Sequence, residues 1–250
     1  MVRINGHIHG LCHRLLKYPR LWYHKHKSRR LVNQDFSLFC NNCTGGVILH
    51  DLSLRFNSPT INLNIQPKDF IKFVRNLKDY MRCELEEIHD VSVDFPVGRL
   101  SLPNGGDVCI KFVHYSSFKC AKEKWEERKN RIDWNNIFVL LEGPTFTPEL
   151  LDMCAEVEYP LSVMGPENSE IEASYSFYHG FKWYNKWYPG KSLDYKHIFS
   201  LKRYLDDFDY ISFLNGNKSY SISDLDFLLS QDGKNWRNMI YHILERCFIL

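Results

Sequence analysis

The sequence predicts an α/β fold: a three-layer α/β/α arrangement with a mixed, mainly parallel sheet and a helical C-terminal section. Three observations predict it. Short apolar segments alternate with helical patterns between residues 35 and 164. The run Ile137–Leu141 is apolar throughout and closed by Gly143-Pro144, as in a strand buried on both faces. From residue 197 onward helical spacing replaces the strand patterns.

Each element follows from local spacing. Over residues 4–18, Ile4, Ile8, Leu11, Cys12, Leu15 and Leu16 share one face. His13, Arg14 and Lys17 lie opposite, which predicts an amphipathic helix closed by Pro19. Asp35–Cys40 reads as a strand, Gly45–Leu54 as a helix, Phe56–Thr60 as a turn and Ile61–Ile65 as a second strand. Pro67 suits the first turn of a long helix whose stripe is Phe70, Phe73, Val74, Leu77 and Met81. Val97–Leu102 and Asp107–His114 flank Pro103-Asn104-Gly105-Gly106, a hairpin signal. Ser116 or Ser117 can cap the next helix, whose inner line is Phe118, Ala121, Trp125 and Ile132. A helix over 148–155 and a strand over 161–164 follow. The last predicted helices are 197–205, 208–214, 223–231 and 235–248.

The 250 residues carry 32 Lys and Arg against 30 Asp and Glu, unevenly spread. Eight cations precede the first acid, Asp35, so the rest of the chain holds 24 cations against 30 acids. A nucleic-acid protein carries its basic face on the body, so no nucleic-acid partner is expected. The basic arm, with Leu21-Trp22-Tyr23, reads either as a helix on anionic lipid or as one packed on the domain. Eight cysteines without a signal-like apolar stretch predict a reduced, cytoplasmic compartment. Peripheral contact with the inner face of the cytoplasmic membrane would then run through residues 1–31. Cys40-x-x-Cys43 lacks the second pair that a zinc site needs, so no metal and no cofactor is expected. Phosphate-loop, dinucleotide, zinc-protease and nucleophile-elbow patterns are absent from the sequence. Asp206-Asp207-Phe208-Asp209 and Asp224-Leu225-Asp226 read as solvated helix ends rather than metal ligands.

Ligands of open α/β sheets bind outside the carboxyl ends of parallel strands. Asn41 and Asn42 follow the first strand, and Gly45-Gly46 open a helix whose free amides favour an anion. His114 ends a strand, and Glu142 ends the central one. Their convergence on one rim would make His114 or Glu142 a proton acceptor beside Asn41, Asn42, Gly45 and Gly46. Asn57 and Ser58 join that rim only if a neighbouring strand runs antiparallel. Arg128, with Arg131 beside it, is placed to hold a carboxylate or phosphate at the sheet edge. The aromatic stretch 175–188 has three readings: helices packed on the sheet, faces that stack on sugars, or an interfacial belt.

Several motifs occur in a fixed order. They are Asn41-Asn42-Cys43-x-Gly45-Gly46, Phe56-Asn57-Ser58-Pro59-Thr60, Phe95-Pro96-Val97-Gly98-Arg99-Leu100 and His114-Tyr115-Ser116. Lys124-Trp125-x-x-Arg128-Lys129-x-Arg131-Ile132 and Trp134-Asn135-Asn136-Ile137-Phe138-Val139 complete the set. Over residues 35–215 the chain resembles a bacterial exopolysaccharide and capsule biosynthesis family catalogued as a domain of unknown function. Members often have an aromatic at Thr44 and a serine at Cys40. The resemblance implies a transferase that moves an activated sugar, acyl or phosphoalcohol group onto a glycan or lipid-linked glycan precursor. The alternative is a non-catalytic glycan-binding or scaffolding component of the assembly machinery. The expected organisation is a basic arm over 1–31, an α/β domain over 32–218, and helices over 219–250 packed on that domain.

Overall fold

The computed structural model describes residues 14–103, 106–182, 186–196 and 200–216. The helices expected over 223–231 and 235–248, the Asp224 and Asp226 pair, and the part of the first helix before residue 14 lie outside them. The chain divides into two units: residues 1–34, 51–54 and 192–250 in one, residues 35–50 and 55–191 in the other.

The second unit is α/β, with a parallel sheet and an antiparallel one rather than a single mixed sheet. Its strands are β1 (Ser37–Cys40), β2 (Glu86–Ile88), β3 (Val97–Leu100), β4 (Val108–Lys111), β5 (Ile137–Glu142), β6 (Leu161–Pro166) and β7 (Tyr178–Phe181). The parallel sheet runs β1-β5-β6-β7 and the antiparallel sheet β2-β3-β4. Cys40 pairs with Leu140, and Glu142 with Met164. β5 is buried along its whole length, as its unbroken apolar run requires. Its odd residues Ile137, Val139 and Leu141 join Phe39, Phe70, Phe73, Phe112 and Trp125 in one core. Its even residues put Glu142 on the opposite face with Phe138 and Leu140, also buried.

Local chemistry sets the helices. α2 (Thr44–Asp51) follows β1 directly. α3 (Pro67–Arg75) starts on Pro67, whose missing N–H is not needed in a first turn, and buries Phe70, Ile71, Phe73 and Val74. The single long helix expected here is broken at Asn76, which has φ −120° and ψ 35°; α4 (Leu77–Tyr80) is a short second piece. α5 (Phe118–Lys129) is capped by Ser117, whose hydroxyl accepts from the Cys120 N–H at 3.3 Å. α6 (Pro148–Ala155) is capped by Thr147 and α7 (Ser169–Ser174) by Asn168. The strand expected over 61–65 is reduced to one bridge, Asn64 against Lys111. β2 was not legible because Glu86 and Glu87 are exposed. The aromatic stretch supplies β7, with Tyr178 and Phe181 buried; the C-terminal helices expected to pack there over 223–231 and 235–248 lie outside the described residues.

In the first unit, α1 (Lys17–Ser28) carries Pro19 in its first turn, so Pro19 opens this helix instead of closing one. A 3-10 turn (Tyr204–Asp207) and α8 (Tyr210–Leu214) stand where longer helices were expected. α1 buries Arg20, Tyr23, His24 and Lys27, the reverse of an ordinary amphipathic helix. Each buried cation is matched. Lys27 Nζ lies 2.9 Å from Asp206 Oδ1, and Arg30 pairs with Asp209. Arg20 donates to the Ser200 carbonyl at 3.0 and 3.1 Å and lies over the Tyr195 ring. Arg203 pairs with Asp51, and His24 Nδ1 lies 3.4 Å from the same carboxylate. Burial pulls the His24 pKa below its usual 6.5 against the opposing acids. Burial pushes the Asp206 carboxyl up, but Lys27 and His24 outweigh it and hold its pKa below the usual value.

Candidate functional site

The carboxyl ends of β1 and β5 lie side by side, and the chain leaves them in opposite directions. After β1 it passes through α2 and returns along the free edge of β1; after β5 it proceeds through α6 to β6. In open α/β sheets ligands commonly bind at such a divergence.

Here the structure brings Asn41, Asn42 and Glu142 together, and adds Thr44. Glu142 Oε2 accepts from the Asn42 amide at 3.0 Å and from the Thr44 hydroxyl at 2.8 Å. The Asn42 side-chain carbonyl accepts from the Thr44 N–H at 2.9 Å, at the start of α2. Asn41 points to main chain. Its amide donates to the carbonyls of Glu142 and Ile65, and its carbonyl accepts from the Glu142 N–H. All four side chains are buried. Cys40 Sγ donates to Asn42 Oδ1 at 3.4 Å, and burial pushes its thiol up to about 12. Burial, and then the charge of Glu142, raise the Cys43 thiol as well. Neither thiol is an activated nucleophile.

The remaining expected residues serve other ends. His114 lies exposed in the turn after β4, in the antiparallel sheet, with no bond to Asn42 or Glu142. Its strand belongs to a different sheet, so the predicted convergence on one rim does not include it. Gly45 is there for packing: a Cβ at this position would lie 2.6 Å from Cys40 Cβ. A Cβ on Gly46 would meet Ile61 at 3.3 Å, so the close approach is to a side chain rather than a ligand.

Asn57, Ser58 and Thr60 substitute for a neighbouring strand along the outer edge of β1. Asn57 accepts from the Leu38 N–H at 3.1 Å and donates to the Phe36 carbonyl. Ser58 donates to the Leu38 carbonyl at 2.6 Å, and Thr60 accepts from the Cys40 N–H at 3.1 Å. Pro59 could not itself donate to a ladder, so side chains satisfy the edge. Arg128 is buried and donates to the Ile61 carbonyl and to the Tyr115 hydroxyl, beneath the Phe56 ring. Arg131 donates to the Phe56 carbonyl and pairs with Glu127. Both arginines hold the edge-capping segment through main-chain carbonyls, and Arg131 also holds the Glu127 carboxylate of α5.

Sequence reasoning missed Thr44, whose hydroxyl donates to the Glu142 carboxylate at 2.8 Å; its one signal is its place two residues after Asn42. It also missed the paired charges of the first unit. Their signal is the polar spacing Arg20, His24, Lys27 and Arg30 facing Asp206 and Asp209. The acids of Asp206-Asp207-Phe208-Asp209 are taken up by Lys27, Lys196 and Arg30. Among the described residues no group of His, Cys, Asp and Glu could hold a metal, and no helix is long and apolar enough to cross a membrane.

An uncharacterized protein of Haemophilus influenzae is 31% identical over 206 residues, covering 80% of this chain and 93% of its own length. Residues 16–215 match a family described as a domain of unknown function, DUF1919. The match starts at residue 16, so it takes in α1 and its buried cations, which the motif resemblance over 35–215 had left outside. The chain belongs to the DUF1919 family.

Proposed function

We propose that the chain is a transferase of surface-glycan assembly, moving an activated sugar, acyl or phosphoalcohol group onto a glycan or lipid-linked glycan acceptor. The observation that carries this reading is the Glu142 carboxylate. It stands at the carboxyl end of a parallel strand, beside a topological divergence, and is oriented by Thr44 and Asn42. A carboxylate fixed in this way can take the proton of an acceptor hydroxyl as the donor group is transferred, a role that contributes roughly 10²–10⁴-fold to rate. Asn42 and Thr44 are positioning residues, and Asn41 keeps the β1 and β5 ends in register. The ordered motifs between 41 and 139 supply the substrate class through their resemblance to capsule-biosynthesis proteins.

The second reading is a non-catalytic glycan-binding or scaffolding component. The burial of Asn41, Asn42, Thr44 and Glu142 favours it, because such a cluster can serve as a sealed joint between strands. The two readings part in one experiment. The chain is incubated with a panel of nucleotide-activated sugars, acyl donors and phosphoalcohol donors plus extracted glycolipid, and products are read by mass spectrometry. A donor-dependent mass increase on the acceptor supports the transferase; retention of glycan without any mass change supports the scaffold.

A further inference from the structure

The inward face of α1 is committed to buried cations and acids. Its outward face has a different composition. Tyr18 is 75% exposed, Leu21 48% and Trp22 40%, and Leu15, just before the helix, is 68% exposed. Lys17, Lys25 and Arg29 are exposed on the same side, at helical spacing from Tyr18, Leu21 and Trp22. No acid occurs on that face; the first acid of the chain is Asp35. Neither Lys25 nor Arg29 makes an ion pair with an acid among the described residues.

We infer that this outer face of α1 is a docking surface for an anionic lipid bilayer. Charge complementarity selects the occupant. Three cations with no acid suit anionic headgroups, and Tyr and Trp rings favour the boundary between headgroups and acyl chains. Exposed Leu15 and Leu21 argue against a nucleic-acid surface, where aliphatic side chains would meet phosphate. The lipid face shares Leu15 with the apolar stripe expected over 4–18. It is set by the opposite face of α1, whose pairs Lys27–Asp206 and Arg30–Asp209 fix which residues turn outward. Shallow insertion of a few side chains plus about a fivefold gain per cation gives reversible, salt-sensitive binding. This inference does not rest on the transferase reading and is read without any turnover.

The test is flotation of the full chain with phosphatidylcholine vesicles, with and without phosphatidylglycerol. Two variants accompany it: Lys25→Glu with Arg29→Glu, and Leu21→Ser with Trp22→Ser. All four positions are exposed, and unchanged melting temperatures check that each variant folds. The wild type should float with anionic vesicles and not with neutral ones, and recovery should fall as salt is raised. Both variants should lose at least tenfold in recovery. Recovery of either variant equal to wild type would overturn the inference. So would binding to a short DNA duplex without flotation, which would make the face a general polyanion contact.

Discussion

Asn41 takes both backbone groups of Glu142: its Nδ2 donates to the Glu142 carbonyl at 2.9 Å, and its Oδ1 accepts from the Glu142 N–H at 2.8 Å. One side chain thus locks the ends of β1 and β5 in register and fixes the backbone that carries the Glu142 carboxylate. Asn41→Ala removes a hydrogen-bond partner from three main-chain groups, the Glu142 N–H and the Glu142 and Ile65 carbonyls, and a buried group that loses its partner costs about 1–3 kcal/mol. The expected loss is about 2–4 kcal/mol in urea unfolding, with an unchanged m-value. A loss under about 0.5 kcal/mol would mean that water replaces the amide without penalty.

The edge cap makes a second prediction. Thr60→Val keeps the side-chain shape and removes the acceptor for the buried Cys40 N–H. It should cost about 1–2 kcal/mol. Thr60→Ser should cost much less because the hydroxyl stays. Equal effects of the two substitutions, measured by thermal unfolding, would show that the methyl matters and the hydrogen bond does not.

Helix α2 is held against β1 by the absence of a side chain at residue 45. Gly45→Ala places a Cβ 2.6 Å from Cys40 Cβ, so strand or helix must shift. Overpacking of this kind typically costs about 1–3 kcal/mol. Gly46→Ala, with its nearest atom a side-chain methyl at 3.3 Å, should cost less. A larger loss at Gly46 than at Gly45, by chemical denaturation, would contradict this packing.

His24 makes the acid limb of stability pH-dependent. Burial lowers its folded pKa below 6.5, so the unfolded chain binds the proton more readily. Its contribution is present above pH 6.5 and is lost as the pH falls through its lowered folded value. Replacing His24 with Asn should flatten melting temperature against pH in that window and leave the profile above pH 7 parallel to wild type. Parallel profiles throughout would show that His24 titrates alike in both states.

Much of the second unit was legible in the sequence. Ile137–Leu141 reads as a buried strand because both its faces are covered, and Trp125 sits in the core at its predicted helix position. Trp125→Ala should accordingly cost about 3–5 kcal/mol. The two-sheet arrangement was hidden, because period-two alternation in Val97–Leu100 and Val108–Lys111 does not say which strands they join. The polar turn Phe56–Thr60 reads equally well as a ligand loop. Only the unpaired edge of β1 explains why hydroxyls and an amide are needed there. Within the site, Asn41, Asn42 and Glu142 were found from their places after strands. His114 shared that local signature but belongs to the antiparallel sheet, and sheet membership is a long-range property.

The central claim is that the Glu142 carboxylate is the working group of the site, and Glu142→Gln tests it most directly. Both donors, Asn42 Nδ2 and Thr44 Oγ1, bond the same oxygen, Oε2, so the Gln carbonyl can accept from both and the fold should survive. Donor-dependent modification of glycolipid, followed by mass spectrometry, should fall about 100-fold or more in the variant while its melting temperature stays close to wild type. Wild-type turnover retained in a folded Glu142→Gln chain would contradict the claim and leave Glu142 as a joint between strands.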